Sequence, residues 1–127
     1  MSALVLDAGA FVAVDKGDRP MVARLRAAQR NGVGLRSNGA VVAQVWRDSA
    51  GRQVQLARLL RSVDVKPVDQ GLGRKAGALI GRAGAGDAVD ATVVAIALSG
   101  DRILTSDPGD IKALVAVSGL PVLVVPC

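Results

Sequence analysis

An α/β fold with a mainly parallel central sheet is what this sequence predicts, on three observations. Short apolar runs of strand length recur along the chain, among them "ALVLD" (3–7), "RILTS" (102–106) and "PVLVV" (121–125). Between them lie segments of helical periodicity, opened by Asp, Asn, Ser or Pro and closed by Gly. Half of the 127 residues are hydrophobic, enough for one domain, 1–127, with a real core and too many for a disordered chain. Strands that alternate with helices from end to end demand crossover connections, and hence parallel pairing.

The elements follow in order. "ALVLD" is a buried strand ending at Asp7, and "AGAFVAV" (8–14) starts a first helix that breaks near "DKGDRP". From Pro20, "PMVARLRAAQR" sets Met21, Val22, Leu25 and Ala28 on one face and closes at Asn31-Gly32, an amphipathic helix. "VGLRS" (33–37) is a weak second strand. "NGAVVAQVWRDS" (38–49) reads as a helix capped by Ser37 or Asn38, and "RQVQLARLLRS" (52–62) as another. "VDVKPV" (63–68) is an edge strand, because Pro67 cannot donate to a central ladder. "DQGLGRKAGALIGRAG" (69–84) is a glycine-loosened helix. Asp87 caps a helix that runs to a stop at Gly100, "RILTS" is a strand, Asp107-Pro108 opens a last helix, and "PVLVV" is the last strand.

Composition excludes several chemistries. The chain has no His, Tyr or Glu, so all eleven acids are Asp, and neither a histidine base nor a His-containing zinc site is available. One cysteine, Cys127, allows no disulfide framework and fits a reducing, cytoplasmic setting. "MSALVLDAGA" lacks the basic region and apolar core of a signal peptide. The longest uncharged stretch, residues 113–127, is too short for a bilayer and is interrupted by Gly119 and Pro121, so a soluble protein is expected. Twelve Arg against four Lys and a net charge of +5 favour a polyanionic partner. With only Phe11 and Trp46 as aromatics, base-stacking platforms are not expected.

Five of the eleven acids fall within residues 86–110: Asp87, Asp90, Asp101, Asp107 and Asp110. In an open parallel sheet, sites form beyond the carboxyl ends of the strands. Asp7 closes the first strand, Asp107 follows "ILTS", and the helix starting at Asp87 begins at the same edge with Asp90 in its first turn. Asp7, Asp90 and Asp107 should therefore converge. Like charges so close would raise one another's pKa, and a hard cation such as Mg²⁺ or Mn²⁺ relieves them. Taken singly, Asp87 and Asp107 could be helix caps and Asp110 a favourable charge at a helix N-terminus. Asp101, in the turn at the opposite end of its strand, reads as solvated. A phosphorylated receiver domain also keeps acids at strand ends, but here the last strand leads to no lysine and the first carries no acidic pair.

The blocks "LVLDAGAFVAV", "VVAQVWRDSAGRQVQLARLL" and "GDAVDATVVAIALSGDRILTSDPGDI" resemble the PIN-domain ribonucleases, specifically the toxins of VapBC-type toxin–antitoxin pairs, over nearly the whole chain. The resemblance implies a PIN-like three-layer α/β/α fold and endoribonuclease activity on RNA, with Mg²⁺ or Mn²⁺ held by Asp7, Asp90 and Asp107. It implies that Thr105 and Ser106 orient the carboxylates, that Asp110 holds a metal-bound water and that Asp87 assists. The family's second acid falls on Gln44, which brings no charge, and Asp48, one turn further along the same helix, is a substitute. Arg47, Arg52 and Arg82, beside the motif segments, are candidates to grip RNA. A cognate antitoxin covering an apolar groove between the helices that contain Phe11 and Trp46, and a homodimer, complete the expectation. The competing reading is a PIN-like RNA-binding or regulatory protein with little nuclease activity, favoured by Gln44.

Overall fold

The computed structural model describes residues 2–48 and 50–127. Five strands, β1 (Ala3–Leu6), β2 (Gly34–Asn38), β3 (Val63–Lys66), β4 (Arg102–Thr105) and β5 (Leu123–Pro126), form one sheet in the order β3-β2-β1-β4-β5, with every pair parallel. The helices among the described residues are α1 (Ala8–Asp15), α2 (Arg19–Arg30), α3 (Gly39–Val45), α4 (Val54–Arg61), α5 (Gln70–Ala83), α6 (Ala88–Ala95) and α7 (Pro108–Ser118). From β1 to β3 the chain steps one way across the sheet, and from β4 to β5 the other way. Right-handed crossovers then put α1–α4 on one face and α5–α7 on the opposite face. Accordingly α1 packs on α2, α3 and α4, while α5, α6 and α7 pack on one another. The three-layer α/β/α arrangement is the one expected.

The most deeply buried strand lies at the centre of the sheet. β1 is apolar at all four positions, each buried, and it occupies the centre. β3, followed by Pro67, is exposed beyond Val63 and forms one edge; β5 forms the other. Val5, Leu6, Ile103 and Leu104 in the central strands join Phe11, Val41 and Leu56 beneath one helical layer and Val93, Ile111 and Leu114 beneath the other. Each fully buried large side chain contributes about 1.5–3 kcal/mol. Phe11 is wholly buried, so it belongs to this core and not to a surface groove as expected.

Two helices are shorter than their sequence periodicity. The helix expected over residues 38–49 ends at Val45, with Trp46 extended; its expected last residue, Ser49, lies outside the described residues. The buried Gln53 side chain donates to the Val45 carbonyl and to Asp15 and accepts from the Arg47 N–H, which turns the chain out of the helix. Asp48 and Ala50 then take left-handed backbone angles, φ 53° and 45°. On the other face, α6 stops at Ala95 rather than at Gly100. Gly100, at φ 88°, instead makes the turn into β4 and donates its N–H to the Pro121 carbonyl.

Candidate metal centre

The sheet order reverses between β1 and β4, and the crevice of such a fold opens beyond the carboxyl ends of the two strands at that point. Asp7 directly follows β1 and is 5% exposed. One of its oxygens accepts the Ala8 N–H at 2.8 Å and so caps α1, which begins at once. The other accepts the Thr105 hydroxyl at 2.7 Å, and Thr105 in turn accepts the Asp107 N–H at 2.9 Å. Thr105, fully buried, thus joins the carboxylate after β1 to the residue after β4.

The other acids arrive on helix starts. Asp87 caps α6 by accepting the Asp90 N–H at 3.0 Å, which leaves Asp90 in the first turn. Asp107 stands at the N-terminus of α7 without making a side-chain cap, and Asp110 lies in that helix's first turn. Asp90, Asp107 and Asp110 each place a carboxylate oxygen within 4.8 Å of the other two. Asp7 is outside this triangle but adjoins it electrostatically. Asp7, Asp90 and Asp107 were expected to converge; the closest set is instead Asp90, Asp107 and Asp110, with Asp7 beside it.

Loss of water and mutual repulsion both act in this cluster. The Asp90 carboxyl is pushed up from 3.8 to about 6, first by loss of water and then by the charges of Asp7, Asp87, Asp107 and Asp110. Asp107 is raised by loss of water, by its hydrogen bond with Asp110, and by Asp110, Asp7 and Asp87. Among the described residues, no Lys or Arg nitrogen lies within 4.0 Å of any of these carboxylates; the ion pairs present are Arg36–Asp101 and Lys66–Asp64. Clustered oxygen donors without an internal counter-ion suit a hard divalent cation that keeps part of its water shell. The donor set fits Mg²⁺ or Mn²⁺.

Other expected residues fall differently. Gln44 is exposed near the end of α3. Asp48 cannot sit one turn further along that helix, because the helix has ended; it is exposed in the left-handed loop. Ser106 is exposed, yet its side chain crowds the first turn of α1: a Cβ on Gly9 would lie 2.9 Å from its Cβ and 2.7 Å from its Oγ. Arg47, Arg52 and Arg82 are exposed, and Arg47 folds back onto the carbonyls of Ala43 and Trp46. Asp101, expected to be solvated, is 2% exposed, accepts the N–H groups of Ala3 and Leu98 and pairs with Arg36. A charged Arg36 inside the strand-like run "VGLRS" was the sequence signal for a buried partner.

The strand order and the helical layers on both faces are those of a PIN-like α/β fold. No family model matches the chain, and no curated protein matches it. Among solved structures it is similar in fold to a chain of VapBC2 from Rickettsia felis, a crystal structure bound to a DNA fragment from their promoter. The TM-score is 0.70 at 13% identity, and the match covers 98% of each chain. The shared fold therefore extends over the whole length, and no helix among the described residues is long and apolar enough to cross a membrane.

Proposed function

We propose that this protein is a Mg²⁺- or Mn²⁺-dependent endoribonuclease, the toxin of a toxin–antitoxin pair, that hydrolyses RNA phosphodiester bonds in the cytoplasm. One observation carries the reading. Four aspartates from three separate chain segments meet at the sheet's reversal point, uncompensated by any cationic side chain among the described residues. Asp7, Asp90 and Asp107, with Asp110, would hold the cation. When bound, it would supply a Lewis acid that activates water and neutralises charge on the phosphate under attack. The chain's own part is orientation: Thr105 fixes the Asp7 carboxylate, and Asp87 fixes the α6 turn that contains Asp90. Arg47, Arg52 and Arg82 are proposed to grip the RNA backbone, in keeping with the net charge of +5.

The proposed partner is a cognate antitoxin, consistent with the fold shared with a VapBC2 chain. A groove of about 290 Å³ between α1, α2 and α4, floored by Val14, Val22, Leu25 and Leu59 and rimmed by Arg26 and Arg58, would take its apolar segment. A homodimer is proposed for the free protein, and light scattering that gives a monomer would remove that part.

A second reading, an RNA-binding or regulatory protein of weak activity, is favoured by the neutral Gln44. Purified protein incubated with RNA and Mn²⁺ separates the two. Cleavage abolished by a chelator and by Asp7→Asn, and faster in Gln44→Glu, supports the nuclease. RNA retained without cleavage at any metal concentration supports the second reading. Cleavage indifferent to both chelator and Asp7→Asn overturns the metal centre.

A further inference from the structure

Resting on the metal-centre reading, we infer that Asn38 is a positioning residue, which holds the α6 turn containing Asp90 against the repulsion of the acidic cluster. Asn38 ends β2 and is fully buried. Its carbonyl oxygen accepts the N–H groups of Ala40 and Val41, at 2.9 and 3.2 Å, and so caps α3. Ser, Thr or Asp would do that equally well. What the asparagine adds is a donor: its amide nitrogen reaches the Thr92 hydroxyl at 3.1 Å. Thr92 follows Asp90 by two residues on α6 and donates to the Val89 carbonyl at 2.6 Å, in the same turn as Asp90.

A buried amide costs stability unless its donors are used, so this contact accounts for the residue type at position 38. Its neighbour Ser37, also fully buried, donates to the carbonyl of Leu6, the residue just before Asp7. The carboxyl end of β2 is thus tied to both acid-bearing segments, α6 through Asn38 and β1 through Ser37. Without a bound cation, Asp7, Asp107 and Asp110 push on Asp90, and the Asn38–Thr92 hydrogen bond is a neutral restraint that resists the outward movement of its helix.

The test uses Asn38→Ser, which keeps a capping oxygen and drops the amide donor, Thr92→Val, which removes the acceptor at nearly constant shape, and the double variant. Calorimetry with Mn²⁺ alone is expected to show about 5-fold weaker binding in each single variant, the worth of one neutral hydrogen bond. The double variant should be no weaker than the weaker single, because both remove the same contact. Amide exchange in metal-free protein should quicken at Asp90 and Ala91 while α2 is unchanged. Unchanged Mn²⁺ affinity with a lowered melting temperature would reduce Asn38 to a structural cap and overturn the inference, as would additive losses or exchange that quickens uniformly. If the unsubstituted protein binds no Mn²⁺, the metal centre falls, and local exchange at Asp90 still decides whether Asn38 positions this turn.

Discussion

The two ends of the sheet handle negative charge in opposite ways. At the amino ends of the strands, Asp101 is 2% exposed, accepts two backbone N–H groups and pairs with Arg36. Loss of water alone would raise its pKa, yet the hydrogen bonds and the guanidinium outweigh this and hold it below its ordinary value. At the carboxyl ends, Asp90 lies among four other aspartates with no cationic side chain within 4.0 Å among the described residues, and its pKa rises to about 6. The first end is satisfied by the chain itself. The second has no such partner among the described residues. An acid is thus uninformative until its partners are known, since compensated acids hold a fold together and uncompensated ones are candidates for a ligand site.

The largest effect that would test this contrast is expected at Asp101. Asp101→Ala leaves the partly buried Arg36 without its counter-ion and two N–H groups without their acceptor, and should lower stability by about 3 kcal/mol in denaturant titration. The loss should be the same with and without divalent cation. In the unsubstituted protein this acid's folded pKa is depressed, so its contribution is present above the ordinary carboxylate range and fades as pH falls through and below 3.8. A loss that divalent cation restores would mean that the two ends are coupled.

The next effect concerns the approach of α1 to β4. Gly9→Ala sets a methyl 2.7 and 2.9 Å from the Ser106 side chain and 3.3 Å from Cys127, against the link that holds Asp7 beside Asp107. Overpacking of this kind costs about 1–3 kcal/mol. Thermal melting should therefore fall, and the double variant Gly9→Ala with Ser106→Gly should recover much of the loss. A melting temperature that rises, as helix propensity alone would dictate, would show that the contact is slack.

The smallest effect should have the opposite sign. Between pH 3.8 and about 6 the folded chain keeps a proton on Asp90 that the unfolded chain has lost. Stability without divalent cation should fall as pH rises through that window and then level off. Asp90→Asn removes the penalty and should stabilise the metal-free protein at pH 7 by about 1 kcal/mol, once solvent screening of a half-exposed carboxylate is allowed for. It should also abolish stabilisation by Mn²⁺. Destabilisation at pH 7 would put Asp90 in the same class as Asp101.

The strand–helix alternation, the burial of "ALVLD" and the edge place of "VDVKPV" were legible in the amino-acid sequence, because period, length and proline are local properties of the chain. So was the meeting of Asp7, Asp90 and Asp107 at one sheet edge, since parallel crossovers dictate which end of each strand faces which helix start. Tertiary structure alone decided what surrounds each acid. Asp101 and Asp110 look alike in sequence, each in a polar turn beside an apolar run. Arg36, far away in the chain, neutralises the first, whereas the second faces other carboxylates. Likewise Gln53 ends α3 before Asp48 and removes that residue from the helix. Partners of this kind come from distant segments brought together by packing, and charge compensation depends on distances of a few ångströms that no local pattern encodes.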